Sequence, residues 1–289
     1  MNRRDLLKGA ALGAVALSLG TKSLSVSAAS LEPRLAELER QRGGRLGVSV
    51  LDTGNGQRLA YRGGERFLMC STFKLLAAAA VLARVDRGQE RLDRRIVFGK
   101  DVVLSYAPVT SLHTGGQGMT VAELCQAAIT VSDNTAANLL LTSMGGPSAV
   151  TTFARSLGDT VTRLDRTEPE LNDGAPGDLR DTTTPDAMLG NLQKLLLGDV
   201  LAEASRAQLE TWLRATTTGN NALRAGMPQG WAVGDKTGSG SHGERNDVAI
   251  VWPPQRKPIL IAAYYANPSV DDSARNKLLA DVGRIAAGI

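Results

Sequence analysis

Strand-like patterns in this 289-residue chain stand in two blocks far apart, and the long stretch between them has the period of helices. Residues 46–51 (LGVSVL) are β-branched and apolar, 52–56 (DTGNG) gather turn formers, and 58–62 return alongside, which reads as a β-hairpin. Strand character comes back only at 231–236, 247–252 and 259–265. Between the blocks, residues 71–86, 120–131, 134–144, 147–157, 184–197 and 202–216 repeat apolar side chains at helical spacing among good helix formers. Helices are also predicted at 31–41, closed by Gly43-Gly44, and at 271–287. The simplest packing is an α+β (α/β) fold in which the hairpin and the late strands form one five-stranded antiparallel sheet. Both terminal helices flank that sheet, and an all-helical part is inserted. The predicted domains are a discontinuous α/β sheet domain at 30–66 and 217–289 and an all-helical domain at 67–216, with a functional site at the seam. A hydrophobic content of 43% is enough for such a core.

Residues 1–29 read as a separate module. Arg3, Arg4 and Lys8 precede an apolar stretch over 10–20, and Ser27, Ala28 and Ala29 are small, the layout of a secretory signal peptide. Arg3-Arg4 followed by Leu6, Leu7 and Lys8 resembles a twin-arginine export signal, with a general-pathway signal as the alternative. The apolar run is well short of the ~20 residues that span a bilayer, so no membrane anchor is expected. Arg3, Arg4, Lys8 and Lys22 against Asp5 lie in this segment, so the formal charge of +4 falls to +1 without it. The basic balance therefore belongs to the leader, and nucleic acid is not an expected partner. The expected location is periplasmic or secreted.

Chemistry concentrates at Ser71-Thr72-Phe73-Lys74, at the start of a predicted helix. A three-residue spacing puts the hydroxyl and the amine on one helical face, where the amine can take the hydroxyl proton and the helix N-terminus favours developing negative charge. Taken alone, this pattern also fits an N-cap serine beside a solvated lysine. His113 and His242 are the only histidines, each in an apparent loop, which disfavours a Ser-His-Asp triad. With Cys70 and Cys125 they lack the short spacings of zinc sites, so no metal and no other cofactor is expected. A single disulfide is conceivable from counting, but Cys70 beside Ser71 is better read as a packed small residue.

Ser132-Asp133-Asn134 and Lys236-Thr237-Gly238 follow in order along the chain. The trio resembles the serine penicillin-recognising enzymes, which include the β-lactamases and the peptidoglycan-building penicillin targets. In that setting Ser132 can relay a proton to the departing lactam nitrogen, Asn134 can bond a substrate amide, and Lys236 adds positive charge near the substrate carboxylate and Ser132. Thr237 and Ser239 alternate to one face of a strand, where both hydroxyls can hold that carboxylate, while Gly238 and Gly240 allow close backbone approach. The resemblance implies an oxyanion hole from the backbone N–H groups of Ser71 and Ser239.

Residues 163–172 (RLDRTEPELN) look like the Ω-shaped loop of class A serine β-lactamases, here 163–181, a feature that penicillin targets lack. It implies Glu168 as general base for the water that removes the acyl group, with Asn172 orienting it. Either Glu168 or Lys74 takes the Ser71 proton during acylation. An Arg166–Asp181 ion pair and a cis bond between Glu168 and Pro169 are implied as ties of the loop. Tyr106 corresponds to an aromatic at the cleft mouth, and Arg245 to an arginine that some members use against the substrate carboxylate. Cys125 matches a position paired in some relatives, but its counterpart here is Ala78, so no disulfide is implied. Cys70 and Ser239 are found in members that accept cephalosporins well, and Gly240 leaves that wall of the site small. The implied function is hydrolysis of penicillins and cephalosporins through an acyl-serine on Ser71, conferring resistance, by a monomer whose partners are small-molecule β-lactams and the export machinery. The rival readings are a D-alanyl-D-alanine peptidase and a β-lactam sensor; Glu168 with Asn172 opposes the first, and the lack of a membrane tether the second.

Overall fold

The computed structural model describes residues 31–175 and 177–289; the leader expected at 1–29 lies outside the described residues. Helix α1 (Leu31–Arg42) leads into the hairpin β1 (Arg45–Asp52) and β2 (Arg58–Tyr61), and β3 (Phe67–Leu68) carries the chain into the helical body. That body contains α2 (Phe73–Asp86), β4 (Arg95–Ile96), β5 (Met119–Thr120), α3 (Val121–Thr130), α4 (Asn134–Ser143), α5 (Ser148–Ser156), β6 (Thr182–Thr183), α6 (Pro185–Leu197) and α7 (Glu203–Arg214). The chain returns through β7 (Ala232–Ser239), β8 (Glu244–Trp252) and β9 (Ile259–Ala266) and closes with α8 (Asp272–Ala286).

The five-stranded sheet has the order β2-β1-β9-β8-β7, every neighbour antiparallel. Strand β9 pairs on both sides and is covered on both faces, which is why ILIAAYYA is an unbroken apolar run. Its alternation splits two cores. Ile259, Ile261, Ala263 and Tyr265 face Leu35 and Leu38 of α1 and Leu278, Leu279 and Val282 of α8. Leu260, Ala262 and Tyr264 face the core of the helical body. Helix α2 is buried continuously from Phe73 to Ala83 and so forms the axis of that body; its four successive alanines let other helices approach closely.

Two features of the strands depart from the sequence reading. Strands β7 and β8 run three residues further toward their turn than predicted, to Ser239 and from Glu244, because Gly238 still pairs with Asn246 and Ser239 with Arg245. The pairings β3–β6 and β4–β5, two residues each, were not predicted, being too short to show a period. The first joins the entry to the helical body with the segment just after Asp181.

Asp133 organises the α3–α4 turn. It caps α4 through Ala136 N (2.9 Å) and also accepts from Val109 N (3.0 Å), Thr110 N (2.9 Å) and Thr110 Oγ1 (2.8 Å). The 105–110 segment is thereby pinned across from Ser132 and Asn134, and Asn134 N donates to Tyr106 O at 3.0 Å. Asp133→Ala removes a cap and leaves three buried donors without acceptors, so a loss of about 3 kcal/mol or more is expected in urea unfolding, with an unchanged slope.

Candidate active site

Four pieces of chain meet at one cleft: the turn before α2, the α3–α4 turn, the Ω-type loop, and the exposed edge of β7. Ser71 lies in a 3₁₀ turn, Cys70–Thr72, and the regular helix begins only at Phe73, two residues later than predicted. The turn needs a left-handed residue, Cys70 at φ +44°, and two more stand at the neighbouring pieces, Ser132 at +60° and Asp181 at +58°. Such backbone costs on the order of 1–3 kcal/mol per residue and persists only where surrounding structure enforces it.

Beneath Ser71 the Lys74 ammonium, with no exposed side-chain surface, is surrounded by oxygen: Asn134 Oδ1 at 2.6 Å, Ser132 O at 2.8 Å, Glu168 Oε1 at 3.0 Å and Ser132 Oγ at 3.3 Å. Burial lowers the Lys74 pKa, against the opposing pull of the Glu168 carboxylate. The Ser71 hydroxyl donates to that same Glu168 Oε1 at 3.2 Å. Lys236, also fully buried, reaches Ser132 Oγ at 3.1 Å and Thr237 O at 2.8 Å. Its pKa is pushed well down, first by burial and then by the Lys74 charge. The Ser132 hydroxyl thus sits between two amines whose grip on their protons is weakened, an arrangement suited to moving a proton.

Glu168 is clamped from three directions. Asn138 accepts from its N–H at 2.9 Å and donates to its carbonyl at 2.8 Å, and Asn172 Nδ2 donates to Oε2 at 2.5 Å. The Glu168–Pro169 bond is cis. At the neck of the loop Arg166 Nε meets Asp181 Oδ2 at 2.6 Å, while Asp181 Oδ1 accepts from the N–H groups of Asp165 and Arg166. The Asp181 carbonyl accepts from Met69 N at 2.9 Å, which ties the loop to the turn carrying Ser71.

The opposite wall is the edge of β7. Gly238 is required there: a Cβ would lie 2.8 Å from Met69 O and 3.2 Å from Ser71 N, so this peptide runs against the Ser71 amide. Thr237 and Ser239 face one way, with Thr218 Oγ1 2.6 Å from Thr237 Oγ1. Arg245, cross-strand from Ser239, donates to Ser239 Oγ (2.9 Å), Thr218 O (3.0 Å) and Asn276 Oδ1 (2.7 Å). Tyr106 stands at the mouth, half exposed, its hydroxyl donating to Val131 O.

A cleft of about 300 Å³ is lined by Ser71, Tyr106, Ser132, Asn134, Glu168, Asn172, Thr237, Ser239 and Arg245, together with Thr218 and Gly238. Lys74 and Lys236 lie under its floor. All eleven residues singled out in the sequence therefore converge. A larger cavity of about 770 Å³ behind the Ω-type loop, against Arg66, Phe67 and Tyr265, contains none of them. Both cysteines are free and buried, and burial raises their thiol pKa values, as suits packed, unreactive groups. Among the described residues no group of three or more His, Cys, Asp or Glu side chains is arranged to hold a metal ion. Sequence reasoning passed over Asn138, Thr218, Asn276 and the anchoring task of Asp133. Only Asn138 carried a signal, standing four residues after Asn134 on the same face of a helix.

Residues 30–288 match the profile of the β-lactamase enzyme family. β-Lactamase OXY-1 of Klebsiella oxytoca is 47% identical over 283 residues, 98% of this chain and 96% of the relative. β-Lactamase CTX-M-97 of Escherichia coli is 47% identical over 269 residues, 93% and 92% of the two chains. Among solved structures, an ancestral (GNCA) class A β-lactamase superposes with a TM-score of 0.87 at 64% identity, covering 88% of this chain and 98% of the other. A putative class A β-lactamase, PenP, from Rhodopseudomonas palustris does so with a TM-score of 0.87 at 57% identity, covering 89% and 98%. The chain belongs to the β-lactamase enzyme family, among its class A members, hydrolases that open the β-lactam ring.

Proposed function

We propose that β-lactam hydrolysis by this protein runs through an ester on Ser71 that water, activated by Glu168, removes. The observation that carries this assignment is the 3.2 Å contact between Ser71 Oγ and a Glu168 carboxylate that the fold holds in place. Ser71 Oγ attacks the lactam carbonyl carbon while its proton leaves into the Glu168–Lys74 pair. The carbonyl oxygen takes negative charge within reach of the Ser71 and Ser239 N–H groups, a kind of stabilisation worth about 3 kcal/mol per donor. The C–N bond breaks, and the nitrogen takes a proton from Ser132, resupplied by the adjoining amines. Glu168 then takes a proton from water held with Asn172, the resulting hydroxide attacks the ester, and Ser71 recovers its proton.

Substrate contacts divide between the two walls. Thr237, Ser239 and Arg245 form a polar, cationic row that fits the substrate carboxylate, with Lys236 behind it. Asn134 and Asn172 face the amide of the acyl side chain, and Tyr106 flanks the mouth. The sheet part (30–66 and 217–289) and the helical part (67–216) act as two domains with this cleft between them. The protein works as a monomer in the periplasm or outside the cell, where its substrates arrive, and the twin-arginine leader takes it there. No helix among the described residues is long and apolar enough to cross a membrane.

Glu168→Ala is expected to acylate on Ser71 and stall, opening one equivalent of lactam per enzyme that stays bound as the ester, with a steady-state rate lower by roughly 10²–10⁴-fold. Mass spectrometry of the quenched mixture detects the adduct, and an undiminished steady-state rate would refute the role of Glu168. For export, replacing Arg3 and Arg4 together by Lys is expected to leave unprocessed protein in the cytoplasm, seen by fractionation. Normal processing of that variant would identify a general-pathway leader instead.

A further inference from the structure

Directly beyond the carboxylate-binding row lies a charged group that the reaction scheme does not use. On β7 the side chains of Asp235, Thr237 and Ser239 share a face, and on β8 those of Arg245, Asp247 and Ala249 share it too, with Thr237 opposite Asp247 and Ser239 opposite Arg245. Asp235 and Asp247 are therefore diagonal neighbours one step inside the site. Both have no exposed surface. Asp235 Oδ1 accepts from Arg224 Nη2, and Asp247 Oδ2 accepts from Leu223 N at 3.1 Å. Gly219 closes over the Asp235 carboxyl so tightly that a Cβ there would collide with it.

Among the described residues, Asp235 Oδ2 and Asp247 Oδ1 are both buried without a hydrogen-bond partner, one orphan on each acid. Two buried carboxylates would have one guanidinium in contact with them. The other cations nearby are engaged elsewhere: Lys236 points to Ser132 on the opposite face, and Arg245 is held by Ser239, Thr218 and Asn276. Uncompensated charge in such a place is strongly unfavourable. One retained proton removes the excess charge and lets a single O–H···O⁻ bond satisfy both orphans.

We propose that Asp235 and Asp247 share one proton, and that this shared proton keeps a second negative charge away from the substrate carboxylate at Thr237, Ser239 and Arg245. The second half rests on the carboxylate assignment made under Proposed function. Asp247 and Asp235 are positioning residues: they touch no reacting atom and act through the row in front of them. Burial pushes both carboxyls up. The proximity of Asp235 pushes Asp247 further, while Arg224 draws Asp235 back; Lys236 and Arg245 pull in the same direction as Arg224.

The sign for stability follows. The folded pair keeps a proton that an unfolded aspartate releases near pH 4. The folding equilibrium constant therefore falls as pH rises between that point and the pair's own titration, by up to about tenfold per pH unit. Asp247→Asn, which supplies the donor permanently, removes that slope.

The test uses the mature protein labelled with ¹³C at the aspartate carboxyl carbons, titrated by NMR, alongside the pH dependence of kcat/KM for benzylpenicillin divided by that for its methyl ester. The division cancels titrations that affect both substrates. One carboxyl of the pair is expected to stay protonated at neutral pH. The ratio is expected to fall roughly three- to tenfold in the window where that carbon titrates, the effect of one added charge several ångströms away at an effective dielectric of ~20 or more. In Asp247→Asn the ratio should stay flat there. Aspartate carbons that all titrate in the ordinary range overturn the proposal, as does a ratio indifferent to the pair's titration. The wild-type titration decides the first point even if Asp247→Asn does not fold. A ratio near one at neutral pH would instead overturn the carboxylate assignment, while the NMR result stands independently.

Discussion

The arrangement around Ser71 depends on a fully buried ion pair, Lys74 with Glu168, 3.0 Å apart with no exposed side-chain surface on either partner. Removing two charges from water costs several kcal/mol per ion, and attraction alone does not reliably offset it. The offset here lies in completeness: Lys74 has three further oxygens, and the Glu168 carboxylate has Asn172 and the Ser71 hydroxyl, with Asn138 holding the Glu168 backbone. The groups that form and support the pair come from three separate pieces of chain, so it can exist only if α2, the α3–α4 turn and the Ω-type loop are all in place together.

That requirement explains why strained backbone clusters at the cleft. Cys70, Ser132 and Asp181, all left-handed, each immediately precede or close a segment that delivers a group to Lys74 or Glu168. Compensation comes from cores on both faces of the sheet and from a central helix, α2, whose first turns place Lys74 among apolar neighbours. The edge of β7 completes the cleft from the other side, and Gly238 lets it approach the Ser71 amide within contact distance. A rigid scaffold with a buried charge network thus exchanges some stability for a hydroxyl already bonded to a carboxylate. The acid pair Asp235–Asp247 is of the same kind, a buried polar cluster directly behind Thr237, Ser239 and Arg245.

Much of this was legible in the chain. The hairpin, the late strands and the long helices were legible because most have one face or one stripe turned to a core, while β9 and α2, covered all round, stand out as unbroken apolar runs. The three short motifs and the 163–172 segment marked eight of the eleven converging residues, and Tyr106, Ser239 and Arg245 were marked by their own positions in the chain, because proton transfer and anion binding demand particular side chains at fixed spacing. Less visible were groups whose task is only to hold others. Asn138 looks like an ordinary helical asparagine until its amide is seen on the Glu168 backbone, and Asp133 carries four hydrogen bonds that no local pattern announces.

What the sequence by itself determined was therefore local: periodicity, turn chemistry, caps, and the identity and order of the reactive groups. The tertiary structure alone decided where those groups stand relative to one another. It set the contact between Ser71 and a carboxylate 97 positions away, the lowered proton affinity of two lysines, and the meeting of Asp235 with Asp247 across β7 and β8. The physical reason is that burial and through-space charge depend on what the rest of the chain places around a residue. Neighbours brought close from a hundred residues away leave no trace in the spacing of side chains along the strand or helix itself.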